Sequence, residues 1–93
     1  MKINLNHPLM GLDGVPSPDQ VQGKILAACL ANSPTGDPLK FWGWALKLHK
    51  GEEFEIDEAD YEVLQKFVKD CPALTIAGKA QLLQSLTKCK NGS

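Results

Sequence analysis

From Pro38 to Lys50 the chain reads Pro-Leu-Lys-Phe-Trp-Gly-Trp-Ala-Leu-Lys-Leu-His-Lys, a helix-forming stretch that holds three of the six aromatic residues and no acid. On a wheel at about 100° per residue its apolar side chains sweep roughly 220°, against the ~100° stripe that one buried face needs. The surplus marks Phe41, Trp42, Trp44 and Leu48 as candidate partner-binding residues, facing another protein or a second copy. Asp37-Pro38 gives this helix a cap followed by proline, and Gly51 gives it a stop.

The other segments follow from similar punctuation. Lys2 to Leu5 alternates polar and apolar residues as a half-buried strand does, and Leu9 to Leu12 runs into the turn dipeptide Asp13-Gly14. Residues 1–16 are therefore expected to form a short β-hairpin or an extended arm. Ser17-Pro18-Asp19-Gln20 matches a helix start, with a Ser cap, Pro in the first turn and Gln at the capping-box position. The first helix is then expected to reach about Ala31. Val21, Ile25, Ala28 and Cys29 line its apolar side, Leu26 and Leu30 lie beside them, and Ala27 lies opposite.

Phe54 and Ile56 alternate with acids as a brief extended link before Asp57, which caps a third helix over about 58–70. Val63, Leu64, Phe67 and Val68 form its inward face, with Tyr61 and Cys71 at the margins, and Cys71-Pro72 stops it. Thr75 caps a last helix from Ile76 to about Lys88, with Ile76, Ala80, Leu82, Leu83 and Leu86 inward and Lys88, Lys90 and Gly92 at its end. The fold expected is mainly α: one small four-helix domain over 1–93, with the helical bundle in 17–90 and the hairpin or arm ahead of it.

Charge narrows the function. All ten basic residues are lysine, and the net charge is -1. The forked guanidinium used to read phosphate and guanine is missing, which weighs against sequence-specific nucleic-acid recognition. Lys40, Lys47 and Lys50 cluster on the polar strip of the aromatic helix, and Trp42 and Trp44 offer stacking faces. A small nucleic-acid-associated regulator is the alternative these residues support. Residues 51–65 carry seven acids and no lysine, whereas 71–93 carry Lys79, Lys88 and Lys90 and no acid. Helix-end compensation within one molecule accounts for that polarity, and head-to-tail attraction between copies is the other reading.

Chemistry is sparse. His7 and His49 have no nucleophile at a spacing that would pair them, the glycines form no phosphate loop, and the acids follow no calcium-loop register. No catalytic, cofactor-binding or metal-binding residue is assigned, and the chain is read as a non-enzyme without a small-molecule substrate. Cys29, Cys71 and Cys89 are odd in number and lack C-x-x-C spacing, so they read as reduced thiols, the first two behaving as small hydrophobes. The opening residues lack the roughly 7 to 15 apolar positions of a signal peptide, and no run approaches the ~20 that span a membrane. A cytoplasmic protein of a bacterial host is expected.

Leu12-Asp13-Gly14, then Gly36-Asp37-Pro38-Leu39-Lys40 leading into Trp44-Ala45-Leu46-Lys47-Leu48, then Ile56-Asp57, then Leu74-Thr75-Ile76 with Lys79-Ala80-Gln81-Leu82-Leu83, resembles small helical proteins encoded by bacteriophages and prophages. The likeness covers most of the chain. Some of those proteins are similar in size and order to tail-assembly chaperones, which bind a tail or tape-measure protein during virion assembly. The resemblance implies a phage-type adaptor or chaperone, with a phage structural protein as partner and no catalytic residue to carry over.

Overall fold

The alternation at the start of the chain sends Ile3 and Leu5 inward, and both are buried. The computed structural model describes residues 1–91. Its elements are β1 (Lys2–Ile3), β2 (Pro8–Met10), β3 (Pro16–Val21), α1 (Gln22–Ala31), α2 (Pro38–Lys50), β4 (Phe54–Glu55), α3 (Glu58–Asp70) and α4 (Ile76–Asn91). The mainly α architecture is as expected, with four helices and short antiparallel strand pairs. β1 pairs with the distant β4, Lys2 opposite Glu55 and Ile3 opposite Phe54. The N-terminal ammonium donates to the Ile56 carbonyl at 3.0 Å, and the Ile56 amide donates back to the Met1 carbonyl at 3.0 Å.

A hairpin does form around Asp13-Gly14, between β2 and β3. Its second strand is the segment expected to open the first helix, so that expectation is corrected: Ser17 lies opposite Leu9 and Pro16 opposite Met10. Proline biases the residue before it toward extended backbone, so Pro16 and Pro18 favour a strand here and delay the helix to Gln22. The cap of α1 is Val21, which has no side chain able to accept. The arm supplies the acceptors instead. The Gln22 amide donates to the His7 carbonyl at 2.8 Å and the Gly23 amide to the Leu5 carbonyl at 2.9 Å, satisfying donors that a helix start leaves open. Gln81 of α4 holds the hairpin from the other side, accepting from the Met10 amide at 2.7 Å and donating to the Met10 carbonyl at 2.9 Å.

The remaining helix signals act as read. Asp37 accepts from the Lys40 amide, Asp57 from the Asp60 amide and Thr75 from the Gly78 amide, and Gly51 ends α2 in the left-handed region. The ending expected at Gly92 lies outside the described residues.

The core joins Leu26 and Leu30 of α1, Phe41, Trp44 and Leu48 of α2, Tyr61, Leu64 and Val68 of α3, and Leu82 and Leu86 of α4, around Ile3, Leu5, Phe54 and Ile56. Three faces are rotated from their expected positions. In α1 the buried set is Gln22, Gly23, Leu26, Ala27 and Leu30, so Ala27 is inside and Ala28 outside. This helix is apolar almost all round, and its periodicity cannot choose a face. In α3, Tyr61 is buried and Val63 exposed. In α4, Gly78, Leu82 and Leu86 point inward at spacings of four, leaving Ile76 and Ala80 in solvent.

Gly23 marks a close approach of two backbones to α1. A Cβ there would lie 3.0 Å from the Leu48 carbonyl oxygen and 3.2 Å from that of Leu5. Gly43, in the middle of α2, has open space where its Cβ would stand. Gly23→Ala should therefore cost about 1–3 kcal/mol by forcing the arm and α2 away from α1, whereas Gly43→Ala should stabilise by up to about 1 kcal/mol through helix propensity alone. Urea unfolding of the two variants beside the parent checks both signs.

Candidate interaction surface

Helix α2 lies against α1 and turns its surplus apolar arc into two separate faces. The inward face carries Phe41, Trp44, Ala45 and Leu48, all buried. The Phe41 and Trp44 rings stack with centroids 5.6 Å apart, and Phe67 meets the edge of Phe41 at 5.5 Å. The loop before the helix makes room for this cluster: Gly36 holds φ +106° and carries the Phe41 ring where a side chain would otherwise stand. Of the candidates chosen from sequence, then, Phe41, Trp44 and Leu48 belong to the core of a single copy. Their burial is a correction to the proposed contact surface, and its cause is that α1, α3 and the arm together cover more of α2 than one neighbouring helix would.

Trp42 is different. It is 56% exposed, and on the same face stand Leu39 at 86% and Leu46 at 44%. Spacings of three and four residues align these side chains into one stripe. Gly43 lies about 100° round the helix from Trp42, beside Lys40 and Lys47, and borders the stripe only at Leu39 and Leu46. At its upper end Leu39 and Trp42 overhang a groove of about 380 Å³ that Leu30, Pro34 and Phe41 also line. Leu39 and Leu46 carry ordinary helical spacing to Trp42, a signal already present in the sequence but masked there by the apolar residues on the other side.

The lysines nearby are largely engaged. Lys40 pairs with Asp60 at 2.8 Å, and that hydrogen bond and the carboxylate's charge raise its pKa, holding it protonated. The Lys47 ammonium lies 5.7 Å from the Phe54 ring centre. Lys50 and His49 remain exposed at the C-terminal end of the helix. At the far end of the chain Lys90 approaches Glu58 at 3.8 Å and the Tyr61 ring at 5.2 Å, so part of the charge polarity is met inside one molecule.

Other chemistry-bearing residues are dispersed. His7 and His49 are exposed on separate elements, and no group of three His, Cys, Asp or Glu side chains is placed to hold a metal ion among the described residues. Cys89 is half-buried with its sulfur 3.7 Å from the Asn4 carbonyl oxygen. Cys29 and Cys71 are brought together by α1 and the end of α3, and burial, with the adjacent Cys71 adding to it, pushes the Cys29 thiol up to about 11.

These features define a small mainly α protein with one exposed aromatic stripe, and no described helix is long and apolar enough to cross a membrane. Compared with known protein families, curated proteins and solved structures, the chain shows no match to any of them.

The two indoles should respond oppositely to truncation. Trp44→Ala removes a stacked core ring and should cost about 3–5 kcal/mol, whereas Trp42→Ala should change stability by no more than about 0.5 kcal/mol, both read from denaturant midpoints. The raised Cys29 thiol also sets a sign. Between pH 9 and 11 the unfolded chain releases this proton while the folded chain keeps it, so stability contributed below that window is lost as pH rises through it. Cys29→Ser should flatten that alkaline slope in unfolding curves recorded as a function of pH.

Proposed function

We propose that the protein is a non-enzymatic interaction module whose docking face is the Leu39-Trp42-Leu46 stripe of α2. The carrying observation is the exposed indole aligned with two exposed leucines at helical spacing. An exposed tryptophan forgoes the burial that usually anchors it. That burial is recovered if another chain covers Trp42, since interface hot spots favour tryptophan seated against a complementary pocket.

Charge selects the kind of partner. Helix α2 has no acid and ends in Lys47, His49 and Lys50. Two copies laid stripe to stripe would bring like charges together, whereas an amphipathic helix with acidic flanks would be attracted. The occupant proposed is such a helix from another protein. A phage-type adaptor or tail-assembly chaperone in a bacterial cytoplasm is a specific form of this reading, and it rests on the motif order that resembles phage-encoded proteins. The nucleic-acid reading draws less support, because Lys40 is committed to Asp60 and Lys47 to the Phe54 face.

Parallel affinity capture from bacterial extract with the parent chain and Trp42→Ala as baits tests the proposal. A partner held by the parent should be lost with Trp42→Ala while circular dichroism and thermal midpoint stay unchanged, and its capture should weaken with added salt. A partner retained by Trp42→Ala, or no specific partner for the parent, overturns it.

A further inference from the structure

A cleft lies between the C-terminal half of α1, the loop that follows it and the end of α3. It encloses about 660 Å³, and its wall includes Ala28, Cys29, Val63, Phe67, Cys71 and Pro72. That volume is of the order that small organic ligands occupy. Cys29 projects from α1, Cys71 is the residue at which α3 ends, and both stand on the wall of this one cleft, with Cys71 close enough to add to the rise in the Cys29 pKa. They are far apart in sequence and on different elements, so their proximity is a product of the fold. The charged side chains bordering the cleft are Lys66 and Asp70, both on α3.

We propose that Cys29 and Cys71 form a two-thiol redox site that exchanges with a low-molecular-weight disulfide of the glutathione class and closes into an intramolecular disulfide. Cys29 is half-buried on the cleft wall and Cys71 is buried, so Cys29 reacts first. Its thiolate attacks one sulfur of the small disulfide. That S–S bond breaks, the first small thiolate leaves, and it takes up the proton Cys29 released. The mixed disulfide is held in the cleft beside Cys71, whose thiolate then attacks the Cys29 sulfur and displaces the second small thiol. The two protein thiols lose two electrons and two protons, which the small disulfide gains as it becomes two thiols. The placement of both thiols on one cleft wall makes the second step intramolecular and favours closure over a lasting mixed disulfide. The new bond fastens α1 to the end of α3.

The apolar setting also fixes the kinetics. With its thiol pushed up to about 11, Cys29 is almost wholly protonated near neutrality, and because the thiolate is the attacking species, exchange is slow there and accelerates with pH. The site is a slow, protected one and not a fast peroxide sensor.

Native protein is incubated with oxidised glutathione at mildly alkaline pH, then trapped with acid and mapped by mass spectrometry. Cleavage after lysine leaves Cys29 in 25–40, Cys71 in 70–79 and Cys89 in 89–90, so the three thiols are separately readable. The expected product has lost two hydrogen atoms and joins 25–40 to 70–79. The same linkage should form in Cys89→Ser, and the preference for it should vanish when the incubation is repeated in urea. A stable glutathione adduct on Cys29 or Cys71 without closure, a linkage that uses Cys89 in its place, or an unmodified chain under these conditions overturns the proposal.

Discussion

Everything in this fold hangs on the backbone of the first seven residues. Ile3 and Leu5 are buried, β1 joins β4, and the carbonyls of Leu5 and His7 receive the opening amides of α1. One extended strip thus fixes the start of α1 and the link between α2 and α3 together. The constraint explains why Gly23 faces carbonyls from two directions, since the strip and α2 can approach α1 closely only where a side chain is missing. It also explains how α1 manages without a capping side chain, because backbone acceptors do the work of a Ser or Asp.

Several elements were legible in the chain because a local rule and a tertiary demand coincide. Asp37, Asp57 and Thr75 cap the helices they precede, Gly51 ends α2, and Phe54 and Ile56 alternate inward. The error at Ser17-Pro18 came from a local rule outbid by another. A Ser-Pro pair reads as a helix entry, but the prolines at 16 and 18 also favour extended backbone, and the Asp13-Gly14 turn delivers β2 alongside. The rotated faces have a different origin. Where most residues of a helix are apolar, as in α1, the moment is weak and neighbours decide orientation. In α4, Ile76 sits in the first turn, beyond the reach of the core, so its hydrophobicity gave a false bearing.

The candidate surface shows the same division. Sequence alone identified α2 as too apolar for one buried face, but it could not say which side chains the arm and α3 would cover. Phe41, Trp44 and Leu48 are absorbed by the fold, and the residue left in solvent is Trp42, with Leu39 and Leu46. The placement of Cys29 and Cys71 on one cleft wall was beyond reach for a simpler reason. Their positions match no spacing motif, and only the docking of α3's end beside α1 makes them neighbours.

The two faces of α2 answer to different constraints. Buried aromatic rings are held by packing in every direction, so substitutions there are paid in stability, and the inward set is fixed by the monomer. The outward set gains nothing from the monomer. A polar residue at 42 and alanine at 43 would make α2 a better helix and a more soluble surface, since single exposed aliphatic residues are ordinary but an aligned leucine-tryptophan-leucine stripe invites association. A chain this small has modest stability to spend. The outward set, Leu39, Trp42 and Leu46, is therefore the part of α2 that the packing of one copy leaves unconstrained.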